Sequence, residues 1–318
     1  MGKIAFLFAG QGSQYVGMGK DIANSFITAK RIFKEADEVL HYNISDICFN
    51  GPENSLMETV NTQPAVLTHS YACYSLLKEK GIVPDIVAGL SLGEYSALVA
   101  AGALNFSDAV VLVRKRGEYI QDVVPLGQGA MAAIIGMKEE EVLDICREAA
   151  VYGIVEPANF NCPGQIAVSG ETRAVERTIR IAEQKGAKKA VKLQVSAPFH
   201  SSLLKPAAER LAVELDRVTV DDAEIPFMSN VSADFIKKGM SIKQSLVKQV
   251  YSPVLWEDTI RNMVKTGVNT FIELGPGRTL SGFVKKIDKK LITLNVQDME
   301  SLKKTLDYLG GCKNELFR

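Results

Sequence analysis

The chain has 318 residues, of which 47% are hydrophobic, so it can bury a large core and exceeds the usual size of a single domain. We expect two domains, or one domain with an insertion, and this composition excludes a disordered chain and a miniature scaffold. The 37 basic residues are balanced by 37 acidic residues, so no net field attracts nucleic acid or an anionic membrane. We expect neither as a partner.

The five cysteines are scattered, odd in number and never spaced as Cys-x-x-Cys. This pattern predicts reduced thiols rather than a disulfide framework or a zinc site, and we expect no metal. The apolar run 4–9 is too short for a signal peptide, and no stretch is long enough to span a bilayer. We therefore expect a cytoplasmic protein. The cysteines are Cys48, Cys73, Cys146, Cys162 and Cys312.

The N-terminal part of the chain alternates apolar strands with helices. Its first strand ends in the loop Gly10-Gln11-Gly12-Ser13-Gln14, and Pro84 precedes a short buried strand that leads into a glycine-containing turn. The predicted elements are strand 4–9, helix 18–40, helix 63–79, strand 86–88, helix 94–104 and helix 107–124.

The pattern changes in the middle of the chain to the order βαββαβ, which is that of a ferredoxin-like unit. We interpret residues 127–196 as a small ferredoxin-like subdomain. Its predicted elements are strand 130–135, helix 139–149, strand 153–158, strand 165–169, helix 173–185 and strand 190–195.

The remaining residues return to the first pattern. We predict that 1–126 and 197–318 form one large α/β-hydrolase-like domain with a parallel sheet at its core. The elements predicted after the subdomain are helix 203–215, strand 226–229, helices near Ser241 and Glu257, strand 270–274, helix 279–286, strand 291–295 and helix 301–309.

A serine lies between a β-branched strand and a helix, in the turn Gly89-Leu90-Ser91-Leu92-Gly93. In this setting a strained turn exposes the hydroxyl, while main-chain N–H groups and the helix dipole face the reaction centre. The alternative is that Ser91 only caps the helix, as serine commonly does. The strand-turn-helix context favours Ser91 as a nucleophile.

A serine nucleophile needs a base within hydrogen-bonding reach, and that base is usually histidine. The chain has three histidines. His41 ends a polar helix and is expected to be solvated, whereas His69 lies among apolar helix residues and reads as a satisfied core histidine. His200 follows a strand where the subdomain returns to the large domain, and such loops often carry function. We assign His200 as the base.

One arginine lies on an apolar helix face. Arg116 follows Val113 by three residues and precedes Ile120 by four, so it shares their buried stripe. It either extends to solvent or to an internal carboxylate, or it grips the carboxylate of an acyl substrate in a bidentate contact that lysine cannot reproduce. By contrast, Arg114 has Glu118 four residues later and predicts a surface pair.

Taken together, the motifs resemble the malonyl-CoA:acyl carrier protein transacylases of bacterial fatty-acid synthesis, which are free-standing relatives of polyketide-synthase acyltransferase domains. The resemblance runs nearly end to end. The shared segments are Gly10 to Gln14, Thr62-Gln63-Pro64-Ala65, the Ser91 turn with Glu94-Tyr95, Arg116-Gly117, Asn159-Phe160-Asn161, the segment around His200, Gln249 to Val254, and Glu273 to Gly277.

The resemblance implies a ping-pong reaction. Ser91, deprotonated by His200, attacks malonyl-CoA, and the phosphopantetheine thiol of an acidic acyl carrier protein then takes the malonyl group. The main-chain N–H groups of Gln11 and Leu92 match the family's oxyanion hole. The main-chain carbonyl of Gln249 matches the group that orients the histidine in place of an acid.

The resemblance also implies the remaining site residues and partners. Arg116 matches the residue that binds the malonyl carboxylate, and Gln63 matches a further active-site residue. Asn159 and Asn161 are expected to face the cleft from the subdomain. No permanently bound cofactor is expected, and we expect a monomer.

Two positions bear on specificity. Many members have histidine directly before the nucleophile, and this chain has Leu90, which leaves that hydrogen-bonding role unassigned. Phenylalanine directly before the base accompanies malonyl in the larger relatives, so Phe199 favours malonyl.

Three other functions stay open from the residues alone. These alternatives are a trans-acting acyltransferase of polyketide synthesis, a serine thioesterase or hydrolase, and a scaffold module with a vestigial site. A hydrolase would predict a triad acid and no need for Arg116, and a vestigial site would not keep Ser91, His200 and Arg116 together. Two lysine clusters, 185–192 and 285–290, are solvated faces that can also steer a carrier protein.

Overall fold

The structure is a computed structural model that describes residues 2–125, 127–195 and 197–310. Cys312 and the expected domain ends at 126 and 196 lie outside the described residues. The strands are β1 (Lys3–Phe8), β2 (Ile86–Gly89), β3 (Gly129–Ile135), β4 (Val155–Cys162), β5 (Gln165–Glu171), β6 (Lys189–Lys192), β7 (Phe227–Met228), β8 (Phe235–Ile236), β9 (Val268–Leu274) and β10 (Ile292–Val296).

The helices surround these strands in a mixed α/β arrangement. They are α1 (Lys20–Ser25), α2 (Ile27–Leu40), α3 (Ile44–Asn50), α4 (Glu53–Met57), α5 (Thr59–Glu79), α6 (Gly93–Ala100), α7 (Phe106–Val123), α8 (Glu139–Ala149), α9 (Thr172–Gln184), α10 (Lys205–Arg217), α11 (Gly239–Gln249), α12 (Trp256–Lys265), α13 (Thr279–Ile287) and α14 (Met299–Tyr308). In the described part of the chain, no helix is long and apolar enough to cross a membrane.

The larger sheet has the strand order β10-β9-β1-β2-β7-β8. Its pairs are parallel except for β7 with β8. The apolar β1 is central because both of its faces are covered: Phe6 and Phe8 pack into one core, and Ala5 and Leu7 pack into a second. The loops after β1, β2, β7 and β9 therefore meet at the carboxyl edge of this sheet.

The smaller sheet has the order β4-β5-β3-β6, and its pairs are antiparallel. Its strands alternate, so Ala130, Ala132 and Ile134 face a core shared with α8 and α9, while Met131 faces the larger part of the molecule. The predicted succession of strand, helix, two strands, helix and strand is found here.

Main-chain hydrogen bonds join the smaller sheet to the segment between α11 and α12. The N–H of Phe160 in β4 donates to the carbonyl of Val254 at 2.9 Å, and the N–H of Val254 donates to the carbonyl of Ala158 at 2.9 Å. Asn159 thereby forms a parallel bridge to Val254. The contact fixes the edge of β4 against the segment that precedes α12, and a cleft lies between the smaller sheet and the carboxyl edge of the larger sheet.

Several predicted element boundaries were wrong, and three of them have a clear cause in the backbone. The helix predicted at 18–40 is two helices, because Phe26 adopts an extended backbone between α1 and α2 and Met18 lies in a preceding turn. The helix predicted to reach residue 104 ends at Ala100, because Gly102 turns left-handed. The strand predicted to reach 195 ends at Lys192, where the β6 pairing with β3 stops. The short elements α3, α4 and β8 were not predicted from the sequence.

Candidate active site

The Ser91 turn connects β2 to α6 and holds the serine in an unusual backbone conformation. Ser91 has φ of 52°, in the left-handed region that non-glycine residues rarely adopt. The flanking glycines are required because a Cβ on Gly89 would lie 1.9 Å from the carbonyl oxygen of Gly93, and a Cβ on Gly93 would lie 2.2 Å from that of Phe8. The close approach of β1, β2 and α6 thus fixes where the hydroxyl points.

His200 lies beside this turn. Its Nε2 is 2.7 Å from Ser91 Oγ, and its Nδ1 is 2.8 Å from the main-chain carbonyl oxygen of Gln249. A carbonyl only accepts, so Nδ1 carries the proton and donates to it, and Nε2 is left to accept the serine O–H. Like Ser91, His200 has a left-handed backbone, with φ of 60°.

The histidine is neutral in this environment. Burial, together with the positive charge of Arg116, lowers the pKa of His200 to about 4. At neutral pH the imidazole is therefore free to accept a proton from Ser91.

Arg116 is on α7 and is 2% exposed, as its place on the apolar stripe predicted. Its Nη1 donates to Gln63 Oε1 at 3.0 Å. Its Nη2 donates to Gln249 Oε1 at 3.1 Å and lies 3.4 Å from Ser91 Oγ. None of these partners is a carboxylate, so the guanidinium faces the Ser91 hydroxyl with only neutral oxygens bound to it. The predicted surface pair of Arg114 with Glu118 is also found, at 3.1 Å.

The loop after β1 forms the opposite wall. The side chain of Gln63, near the start of α5, approaches that of Gln11, with Gln63 Nε2 3.5 Å from Gln11 Oε1. Gln11 Nε2 in turn donates to Thr59 Oγ1 at 3.0 Å. In the described residues, the main-chain N–H groups of Gln11 and Leu92 donate to no protein acceptor. Gln11 lines the cleft and Leu92 directly follows Ser91 in the chain, so both N–H groups belong to the segments that meet at the serine.

The cleft beside Ser91 has a volume of about 270 Å³. Asn159, Asn161 and Phe199 line it, and Phe199 is 7% exposed. Leu90 also lines it and packs against the core that contains Ala5 and Leu7, so its side chain supplies no hydrogen bond there. The apolar part of the wall comes from Met131, Ala133, Ala167, Leu193, Val195, Leu280 and Phe283.

The other two histidines lie away from this cleft. His41 is exposed at the end of α2. His69 is fully buried and its Nε2 is 2.9 Å from the carbonyl oxygen of Gln297, but its Nδ1 has no partner among the described residues. His69 is therefore a core histidine, although only one of its nitrogens is satisfied.

Two residues without a predicted role lie directly behind the serine. Asn230, after β7, accepts the N–H of Ser91 on Oδ1 at 2.7 Å and donates to the carbonyl of Gly89 at 2.7 Å. Glu94, in the first turn of α6, accepts the N–H of Asn230 at 2.6 Å and also accepts from the side chain of Gln249. The one sequence feature that could have indicated a role for Glu94 is its charge in the largely apolar helix α6.

A serine hydroxyl hydrogen-bonded to a neutral histidine, at the carboxyl edge of a parallel sheet, is a nucleophilic acyl-transfer arrangement. The family model described as "Acyl transferase domain" matches residues 5–303. The chain belongs to this acyl transferase family.

The relatives within the family are malonyl transferases. The malonyl CoA-acyl carrier protein transacylase of Bacillus subtilis is 51% identical over 310 residues, which cover 97% of this chain and 98% of that protein. The crystal structure of the corresponding transacylase from Clostridium perfringens is 47% identical, with a TM-score of 0.94 and coverage of 97% of both chains. A malonyl-transacylase solved in complex with its type II polyketide-synthase acyl carrier protein is 42% identical to this chain. The TM-score is 0.94, and the match covers 96% of this chain and 99% of that chain.

Proposed function

We propose that the protein transfers a malonyl group from malonyl-CoA to the phosphopantetheine thiol of an acyl carrier protein, through an ester on Ser91. This reaction supplies extender units for fatty-acid synthesis. The observation that carries the proposal is the buried guanidinium of Arg116, whose Nη2 lies 3.4 Å from Ser91 Oγ. An acyl group on that oxygen can place a carboxylate against Arg116.

In the first half-reaction, Ser91 Oγ attacks the thioester carbonyl carbon. Its proton passes to His200 Nε2, 2.7 Å away, and the imidazolium that forms is oriented by the Gln249 carbonyl on Nδ1. Collapse of the tetrahedral intermediate breaks the carbon–sulfur bond, and the proton leaves with the CoA thiol. The Gln249 carbonyl occupies the position that an acid takes in a Ser-His-Asp triad.

The intermediate carries a negative oxygen, which the N–H groups of Gln11 and Leu92 stabilise. One such donor lowers the barrier by about 2.7–4 kcal/mol. Arg116 binds the carboxylate at the other end of the acyl group, and Gln63 holds the guanidinium by its Nη1 hydrogen bond. Asn159 and Asn161 contact the acyl or pantetheine part from the smaller sheet.

In the second half-reaction, His200 takes the proton of the carrier's thiol, and the thiolate attacks the Ser91 ester. The carbon–oxygen bond breaks and the proton returns to Ser91 Oγ. Phe199 beside the base, with the apolar wall of the cleft, limits the water that competes with the thiol. The protein itself supplies every group used in these steps, and the pantetheine thiols arrive on CoA and on the carrier.

The test is intact mass spectrometry after incubation with malonyl-CoA. The wild-type protein should gain one malonyl adduct, and Ser91→Ala should gain none because the nucleophilic oxygen is missing. An adduct that persists on Ser91→Ala would place the nucleophile elsewhere. Ser96→Ala, in the helix α6 that follows the turn, is the matched control and should still be acylated.

A serine hydrolase is the first alternative. Incubating the isolated acyl-enzyme with and without holo acyl carrier protein separates the two reactions. Transfer predicts a stable ester that is discharged only when the carrier is added. Rapid release of free malonate without a carrier would contradict transfer.

A trans-acting acyltransferase of polyketide synthesis is the second alternative, and the similarity to a malonyl-transacylase bound to a type II polyketide-synthase carrier favours keeping it. The two pathways use the same chemistry at Ser91. Comparing kcat/KM for fatty-acid and polyketide carrier proteins distinguishes them, and we expect the fatty-acid carrier to be preferred.

The same proposal extends to the architecture. We assign 127–196 as a ferredoxin-like subdomain inserted in an α/β-hydrolase-like domain of 1–126 and 197–318, which the strand order β4-β5-β3-β6 and the parallel large sheet support. The site lies where the two meet. We also propose that the protein acts as a monomer, since all proposed site residues come from one chain. We further propose that it is cytoplasmic.

A further inference from the structure

A fully buried carboxylate lies directly behind the reacting groups. Glu94 has no exposed surface. One of its oxygens accepts the main-chain N–H of Asn230 at 2.6 Å, and the other accepts the side-chain N–H of Gln249. A buried carboxylate is costly unless such bonds satisfy it, and the proposed reaction assigns Glu94 no step.

The side-chain amide of Gln249 is held in one orientation by its neighbours. Its Oε1 accepts from Arg116 Nη2 at 3.1 Å, while its Nε2 donates to the carbonyl oxygen of Ser91 at 2.8 Å and to Glu94. A guanidinium has only donors and a carboxylate only acceptors. Rotating the amide by half a turn would set N–H against N–H at Arg116 and oxygen against oxygen at Glu94. The carboxylate therefore locks the amide.

We propose that Glu94 is a positioning residue that sets the preference for a carboxylated acyl group by holding Arg116 through Gln249. The inference rests on the proposed function. With the amide locked, Arg116 Nη2 stays 3.4 Å from Ser91 Oγ, where the acyl group is attached. The main-chain carbonyl of the same Gln249 orients His200, so Glu94 supports both the Arg116 guanidinium and the His200 imidazole through Gln249.

The nucleophile turn is tied to the same carboxylate. Asn230, whose N–H is held by Glu94, accepts the N–H of Ser91 at 2.7 Å. Burial raises the pKa of Glu94 above its ordinary value, while the two donors and the charge of Arg116 act in the opposite direction. Both partners of Glu94 are donors, so each of its two oxygens acts as an acceptor in these contacts.

The test is Glu94→Gln, which keeps the size of the side chain but turns an N–H toward one of the two donors. We measure kcat/KM for acylation of Ser91 by malonyl-CoA and by acetyl-CoA. The malonyl-to-acetyl ratio should fall about tenfold, because losing one hydrogen bond to a charged group weakens the hold on Arg116. A purely structural role would lower both values equally and leave the ratio unchanged, which would overturn the proposal.

A double-mutant cycle identifies the route of the effect. In an Arg116→Ala background, Glu94→Gln should cause no further fall in the ratio, since there is no guanidinium left to position. An equal fall in both backgrounds would show that Glu94 acts independently of Arg116 and would contradict the inference.

Glu214→Gln is the matched control. Glu214 is 9% exposed and accepts from Lys115 and Tyr119 on α7, the helix that also carries Arg116, but it lies outside the cleft. Its loss should leave the malonyl-to-acetyl ratio at the wild-type value. A fall as large as that of Glu94→Gln would mean that loosening α7 is sufficient, and the assignment to Glu94 would be wrong.

Two further measurements separate the possible failures. If wild-type protein gains no malonyl adduct by intact mass, the proposed function and this inference both fail. If it gains the adduct and Glu94→Gln keeps the ratio, only the inference fails. Should Glu94→Gln not fold, Glu94→Asp keeps the charge but is one methylene too short to reach both donors, and the ratio should again fall.

Discussion

At the scale of single residues, the environment of Arg116 is more informative than its type. Burial lowers its pKa, and in the described residues its Nε has no hydrogen-bond partner, although the Tyr95 ring lies 5.7 Å from the guanidinium carbon. Its other nitrogens contact neutral oxygens. The Arg116 guanidinium therefore has no direct anionic partner and can bind a carboxylate.

We expect Arg116→Ala to weaken malonyl transfer far more than acetyl transfer, because a hydrogen bond to a charged group contributes about 1.5–3 kcal/mol. The measurement is kcat/KM for acylation by each acyl-CoA. Arg114→Ala, which removes the exposed pair with Glu118, should change neither value. Equal losses for malonyl and acetyl in Arg116→Ala would refute the role in carboxylate binding.

The second residue-scale prediction concerns pH. Because the pKa of His200 is lowered to about 4, acylation should stay level from pH 8 to about pH 5 and fall only as pH approaches 4. A stopped-flow pH profile of the acylation rate constant measures this. A midpoint near 6.5 would show that burial does not keep the imidazole neutral.

The same shift affects stability. The unfolded chain binds a proton on this histidine at its ordinary pKa of about 6.5, whereas the folded chain does so near 4. The unfolded state therefore holds more protons between these values, so the free energy of unfolding falls as pH drops from 6.5 to 4. His200→Gln should show a smaller fall in denaturant titrations, with the fall that remains coming from His69 and other groups.

At the scale of elements, the serine turn depends on how closely β1, β2 and α6 approach. Gly93 begins α6 directly against the carbonyl of Phe8. The strand-turn-helix pattern predicted a strained turn, and the close crossing shows which main-chain contacts hold Ser91 in its left-handed conformation.

Gly93→Ala should destabilise the protein by about 1–3 kcal/mol, as overpacking does, and should lower the extent of Ser91 acylation. A Cβ at Gly93 would lie 2.2 Å from the Phe8 carbonyl oxygen, whereas a Cβ at Gly282 in α13 meets nothing within 4 Å. Gly282→Ala is therefore the control and should stabilise by about 0.4–1 kcal/mol. Urea unfolding with parallel mass spectrometry measures both, and equal stability changes would contradict the prediction.

At the scale of the whole molecule, the charge is balanced but not uniform. Several of the predicted lysines are engaged in surface contacts: Lys185 pairs with Glu148 at 2.8 Å, and Lys192 pairs with Glu176 at 3.0 Å. Lys286 differs because its Nζ donates to Gln165 Oε1, and Gln165 lines the cleft. We propose that this cation at the rim of the cleft attracts an acidic carrier protein.

We expect Lys286→Ala to lower kcat/KM for the carrier protein severalfold and to reduce its dependence on salt, because a rim charge mainly changes the association rate. Lys185→Ala, away from the cleft, is the control and should leave the transfer rate unchanged. Both are measured with carrier titrations at two ionic strengths. The same loss in both variants would contradict steering at the cleft.

The sequence by itself determined the local patterns. The apolar run of β1, the glycines around Ser91 and the stripe that places Arg116 on a buried face are properties of short stretches, because strand and helix periods are read from neighbouring residues. The succession of elements in the smaller sheet could be predicted for the same reason. The short helices α3 and α4 could not, because one or two turns leave no period to detect.

Only the tertiary structure decided which distant residues meet. Ser91, Arg116, His200 and Gln249 come from different elements, and their 2.7–3.4 Å contacts follow from how the sheet edge, α7 and α11 pack. Glu94 was visible in the sequence as a charge beside the nucleophile, yet its partners are 136 and 155 residues away in the chain. A buried carboxylate acquires its meaning from the donors around it, and long-range packing alone brings those donors together.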